Sequence, residues 1–243
     1  MKNCLKFLTA ACFFAFTAVA ASAQFGIHTG YVYTQTDISY KNSNDVSNTL
    51  TNGVYLGIDY DINLVAGLSV QPGIFYSYAA NEDKTRVNLL GQQFSREQDH
   101  IEHSLLVPVH AKYSFNIVED ILKLYLFAGP TFNVGLSAFD KIEYDGGRIE
   151  GDFTYNCYTG KVTVNEGFHD VSSSSFTQDF DNAGKTLQRF DVLVGGGAGL
   201  RVVRFLDIKV GYDYGLLNRA AKSYRDNMSM HASRFYVGLG IRF

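Results

Sequence analysis

The tripeptide His231-Ala232-Ser233 is the first spacing in the chain that could support catalysis. Two positions apart, a histidine and a serine share one face of an extended strand, which is half of a base–nucleophile arrangement. A third group must orient the base, and no Asp or Glu follows Ser233. His103 and Ser104 are adjacent, so a strand would point them to opposite faces. The six His and Cys157 show no zinc-ligand interval. The acids Asp45, Glu82, Asp83, Glu97, Asp99, Glu143, Asp145, Glu150, Asp152, Glu166, Asp170, Asp179 and Asp181 match no calcium-loop spacing and read as solvated surface. Gly195, Gly197 and Gly199 alternate along a strand instead of opening a helix, so they form no phosphate-binding loop. The sequence therefore predicts no catalytic, cofactor-binding or metal residues. A net charge of −3 argues against nucleic acid as a partner.

The elements that carry these residues are strands. Beyond Gln24, apolar side chains recur at every second position. Eight segments show this period: Phe25–Tyr33, Thr51–Asn63, Leu68–Tyr78, Ile101–Phe115, Leu124–Leu136, Phe190–Val202, Ile208–Leu216 and Phe235–Phe243. In the second, Val54, Leu56, Ile58, Tyr60 and Ile62 alternate with Tyr55, Gly57, Asp59 and Asp61. Runs of about ten residues are what a tilted strand needs to cross a bilayer. The connections near Asp61–Ala66, Asn116–Ile121 and Val203–Leu206 are tight. Those near Asp37–Leu50, Ala79–Asp99, Ser137–Thr186 and Asn218–Met230 are long. Tight turns at one end and long loops at the other are the pattern of an up-and-down outer-membrane β-barrel with both termini periplasmic. Within the longest connection, Asp145-Gly146-Gly147 and Thr159-Gly160 read as hairpin turns, the runs between them as strand extensions, and Ser172–Ser175 as a flexible tip.

Alternation alone does not say which face meets solvent; a soluble lipocalin-like barrel would hide the apolar rows. An eight-stranded lumen lacks the room for them. The opposite face is rich in glycine, the residue expected where space is short, and the chain has 23 of them. Aromatics gather at both strand ends: Tyr31, Tyr33, Tyr76, Tyr78, Phe190 and Phe235 near the long loops, and Tyr60, Tyr113, Phe115 and Phe243 near the tight turns. Two aromatic girdles around an aliphatic band are what a bilayer selects. The inward face would carry Asp59, Asp61, Glu102, Asp191, Asp207 and Asp213 against Lys112, Lys123, Arg189, Arg201, Lys209, Arg234 and Arg242. Mixed signs predict an ion-paired, packed lumen; a selective pore would show rings of one sign. Pro72, Pro108 and Pro130 fall inside strands, where each removes a ladder hydrogen bond, so local bulges or strained spots are expected.

The first 23 residues read as an address. Lys2 and Lys6 precede an apolar run from Phe7 to Ala20, and Ala21-Ser22-Ala23 has the A-x-A form of a cleavage site. The expected domain is 24–243, secreted through a removable signal at 1–23. Of three cysteines only Cys157 then remains, as an incidental loop thiol with no internal disulfide partner. A chain that is 46% hydrophobic and 19% charged is neither a disordered tail nor a disulfide scaffold.

The segments LLVPVHAKYSF (Leu105–Phe115), YLFAGPTFNVG (Tyr125–Gly135), VGGGAGLRV (Val194–Val202), VGYDYGLLN (Val210–Asn218) and VGLGIRF (Val237–Phe243) resemble the small outer-membrane β-barrel family of the porin-like, PorT-like type. The resemblance spans nearly all of the chain beyond the signal and makes the three prolines members of its pattern. His110 stands where that family usually has an aliphatic residue. The terminal Phe243 is similar to the signal read by the outer-membrane insertion machinery. The resemblance implies a fold and a place in the bacterial outer membrane, with no agreed activity. The expected partners are outer-membrane lipid and lipopolysaccharide, the insertion machinery, and an extracellular protein or ligand on the long loops. The reading is a non-enzymatic surface protein. Its alternatives are a narrow porin, a secretion-system accessory and, through His231 and Ser233, a lipid hydrolase.

Overall fold

The computed structural model describes residues 24–41, 46–89, 92–119, 121–145, 151–167 and 184–243. Ten strands form in chain order: β1 (Gln24–Tyr40), β2 (Val46–Val65), β3 (Leu68–Leu89), β4 (Gln92–Val118), β5 (Leu122–Asp145), β6 (Gly151–Asn156), β7 (Val162–Gly167), β8 (Phe190–Val202), β9 (Leu206–Gly215) and β10 (Met228–Arg242). Eight of them close a ring of antiparallel neighbours in the order β1-β2-β3-β4-β5-β8-β9-β10. The seam joins the chain ends, with Gly26 opposite Arg242. β6 and β7 lie outside the ring. β5 pairs with β8 over Leu122–Val134 and with β6 over Phe139–Tyr144.

Period two dictates which face goes where. Leu56, Ile74, Leu126 and Leu239 point away from the ring and are more than half exposed, as the alternation predicts. Exposed aromatics flank them at both ends, including Tyr31, Tyr76, Phe190 and Phe235 at the long-connection end and Phe25, Tyr113, Phe115 and Phe243 at the tight-turn end. Soluble monomers rarely expose contiguous apolar patches beyond a few hundred Å². A continuous apolar belt around a closed ring calls for hydrocarbon as its solvent. Asp59, Asp61, Asp207, Lys112, Arg201 and Arg242 are buried inside.

At the tight-turn end, Ala66 (φ 46°) and Gly67 (φ 85°) make a two-residue turn between β2 and β3. Positive φ at both positions matches the right-handed twist of the flanking strands. The β8–β9 turn carries Val203 (φ 51°) and Arg204 (φ 66°), where a β-branched residue is strained.

Several expectations are corrected. The supposed loops at Asp37–Leu50 and Ala79–Asp99 are mostly strand: β1 to β4 continue well past the aromatic girdle, and β3 pairs with β4 up to Leu89 opposite Gln92. Above the girdle both faces meet water, so polar residues replace the apolar rows and the period-two signal fades while the ladder persists. Glu82, Asp83, Glu97, Asp99, Glu143, Asp145, Asp152 and Glu166 thus belong to strands. No bulge occurs at the prolines; the β3–β4 register is the same on both sides of Pro72 (Gln71 opposite His110, Phe75 opposite Leu106). The register shifts fall at Asn63/Val65, His103/Ser104, Asn116/Val118 and Asp152/Phe153. The Thr159-Gly160 turn forms, with Gly160 at φ 78°. Asp145-Gly146-Gly147 extends past the described residues; Ser172–Ser175 and the expected export signal at 1–23 lie outside them.

Candidate functional site

Three layers fill the ring. The lowest is a charged plug to which every ring strand contributes. Arg242 (β10) lies 2.7 Å from Asp59 and 3.2 Å from Asp61 (both β2), and 3.3 Å from Asp207 (β9). Arg201 (β8) reaches Asp61 at 3.0 Å and Asp207 at 3.2 Å. Lys112 (β4) donates to Asp61 at 2.7 Å, and Gln71 (β3) donates to its other oxygen at 2.9 Å. Tyr125 (β5) donates to Asp207, and His28 (β1) sits 3.1 Å from Asp59. Opposite signs at these distances offset the desolvation that each charge would suffer alone.

The second layer is an apolar collar of Val32, Tyr55, Phe75, Leu106, Tyr125, Phe127 and Tyr236. Lys209 lies over the Phe75 and Phe127 rings at 5.5 and 5.3 Å. Glycine makes the room. A Cβ at Gly199 would lie 2.1 Å from the Tyr125 ring, and one at Gly240 would lie 2.1 Å from the His28 ring. Between collar and wall is a cavity of about 40 Å³ that Lys209, Asp213, Arg234 and His110 help to line.

Above the collar lies a vestibule of about 400 Å³. A β-bulge shapes its wall. Ser104 pairs with Gly135 and His103 with Ser137, so Leu136 is the extra residue of β5. Below it, Tyr125, Phe127, Thr131 and Asn133 are buried; above it, Ala138 and Ile142 are buried and Asp140 lines the vestibule. A bulge re-aims side chains in this way. Asp140 thereby faces His100 of β4, with Nδ1 and Oδ1 2.5 Å apart. Cys157, immediately after β6, donates to the second Asp140 oxygen at 3.4 Å. Burial first, and then the Asp140 carboxylate, push the Cys157 thiol up, so it stays protonated at neutral pH. Burial works to lower His100, but its bond to Asp140 and that carboxylate's charge leave it raised. Across the vestibule, Arg219 donates to both oxygens of Glu102, at 2.5 and 3.3 Å, and Tyr158 donates to Glu102 at 2.7 Å.

A family model for the outer membrane protein beta-barrel domain matches residues 17–219. The chain belongs to that family. As an outer-membrane barrel it is similar to several solved structures. The outer membrane protein OprG from Pseudomonas aeruginosa shares 9% identity, with a TM-score of 0.40 over 91% of this chain and 96% of that one. Ail of Yersinia pestis, solved in complex with the heparin analogue sucrose octasulfate, shares 10%, with a TM-score of 0.38 over 91% and 99%. Neisserial surface protein A shares 10%, with a TM-score of 0.38 over 89% and 97%. No curated protein sequence matches the chain.

The barrel gathers some of the expected inward charges and disperses others. Asp59, Asp61, Asp207, Lys112, Arg201 and Arg242 meet in the plug. Glu102 leaves them and pairs with Arg219, which the sequence places in a connection. Asp191 accepts from the amides of Val192 and Leu217 at 2.7 and 3.2 Å. Arg189 donates to the Gly135 and Leu136 carbonyls at 3.0 and 2.7 Å, and Lys123 lines a separate cavity at the tight-turn end. His28 and Tyr125 join the plug without having been singled out. Cys157 is no loose loop thiol; it is 1% exposed, packed with Ala138, Tyr155 and Tyr158. His231 stacks on Tyr214 with its Nδ1 3.1 Å from the Gly215 carbonyl, and it is not among the vestibule's lining residues.

Proposed function

We propose that this outer-membrane barrel is a non-enzymatic surface protein whose lumen is sealed. The export signal at 1–23 is removed, the domain 24–243 inserts through its last strand ending at Phe243, and both termini face the periplasm. Lipopolysaccharide surrounds the long-connection end. There the extended β3–β4 and β5–β6–β7 sheet and the vestibule offer a protein or other ligand a rigid surface.

One observation carries the sealed lumen. Residues from all eight ring strands converge on Asp59, Asp61 and Asp207, and the cavity beside the collar above measures about 40 Å³. A cavity of that size holds a water or two and passes no hydrated ion. Purified protein in planar lipid bilayers should therefore add no steady conductance. Asp61→Ala/Arg242→Ala, which opens the plug, should produce flickering currents. Steady openings from the unaltered protein would instead establish the narrow-porin alternative.

A further inference from the structure

The vestibule holds a polar cluster that neither the plug nor a surface-binding role requires. His100, Asp140 and Cys157 come from β4, β5 and the residue after β6, and their ligand atoms all lie within 4.8 Å of one another. All three line the same cavity. Among the described residues, the sole ion-pair partner of Asp140 is the His100 imidazole. A cysteine kept only as a small apolar filler would not need a carboxylate and an imidazole turned toward it. Here a β-bulge at Leu136 turns Asp140 inward to meet both.

We propose that His100, Asp140 and Cys157 form a site for a divalent transition ion of the zinc class, with its fourth position open to the vestibule. One nitrogen, one carboxylate oxygen and one sulfur are a donor set for zinc and its borderline neighbours; calcium and magnesium take oxygen alone. Bonds of about 2.0 to 2.3 Å to a tetrahedral ion need donor–donor separations of about 3.3 to 3.8 Å. The Cys157 sulfur, 3.4 Å from an Asp140 oxygen, already lies in that range, and the His100 Nδ1, 2.5 Å from the other oxygen, must open to reach it. The two hydrogen bonds that now converge on Asp140 occupy the place of the ion. On binding, the proton that His100 Nδ1 now shares with Asp140 and the Cys157 thiol proton both leave to solvent, the ring's N–H resting on Nε2, and the metal accepts a lone pair from His100 Nδ1, one from an Asp140 oxygen and one from the Cys157 sulfur. Arg219 is no obstacle, because Glu102 already neutralises it. The inference goes beyond the sealed-barrel reading: a conducting barrel would keep this site, and a silent barrel without it would still be a surface protein.

The test is cobalt titration of the full chain, purified in detergent without a polyhistidine tag. One equivalent of Co²⁺ should give a thiolate-to-cobalt charge-transfer band that Zn²⁺ abolishes by displacement. Cys157→Ser should lose the band, and His100→Gln and Asp140→Asn, which retain the thiol, should weaken cobalt affinity by more than about tenfold. His231→Gln should leave the titration unchanged. Heat-modifiable gel mobility verifies that each variant is folded, and the two thiol-retaining variants carry the test if Cys157→Ser does not assemble. No band in folded wild-type protein, or a band indifferent to Cys157→Ser, overturns the proposal.

Discussion

Asp61 is the most connected acid of the plug, taking Lys112, Arg201 and Arg242 together with Gln71. Removing one member of a buried network leaves the others charged and unpaired, which costs about 3 to 5 kcal/mol. Asp61→Asn should therefore lower the temperature at which heated samples lose the folded gel band. Asp83→Asn, on the exposed part of β3, should not. Val203 works the other way. Its φ of 51° places a β-branched side chain in the left-handed region. Val203→Asn should stabilise the barrel by about 1 kcal/mol, read as a higher urea midpoint in lipid vesicles.

At the scale of elements, ladders and side-chain rows end at different heights. β3 and β4 pair from Leu68 opposite Tyr113 to Leu89 opposite Gln92, yet the exposed apolar row of β3 ends near Tyr76. The upper hairpin is thus held by its own hydrogen bonds, by the β4–β5 ladder that continues up to Ser95 opposite Asp145, and by surface pairs such as Lys84 with Glu82 and Glu97, which contribute little. Replacing residues 84–97 with an Asn-Gly turn should leave the ring assembled, with unchanged heat-modifiable mobility, while the upper ends of β5 and β6 fray in hydrogen exchange. The same split explains what could be read from sequence. The eight crossing segments and their outward faces were legible, because lipid on one side and a crowded lumen on the other impose strict alternation on Val54 to Ile62 or Phe235 to Phe243. The upper strands were not, since water on both sides imposes no such pattern. Nor was the bulge at Leu136: a single extra residue reverses the faces of β5, and nothing local to Gly135–Ser137 announces it. The joining of His100 to Cys157 depends on that reversal, and intervals along the chain carry no trace of it.

For the whole molecule, the bilayer is the solvent that makes the outer belt stable. Leu239 is exposed on β10, midway between the girdle aromatics Phe235 and Phe243. An arginine there would face hydrocarbon at a cost of about 2 to 4 kcal/mol. Leu239→Arg should reduce the outer-membrane yield and leave the protein degraded or aggregated, as immunoblots of membrane fractions would show. The seam between β1 and β10 has a different consequence. Arg242 arrives on the final strand, yet it touches all three aspartates of the plug. A ring that sealed itself one ribbon early would trap those carboxylates with too few cations, and a ring that admitted a foreign ninth would pull them out of reach. The charges of the plug therefore come into balance only when the eighth stave has closed the hoop, because that stave carries the cation shared by all three carboxylates.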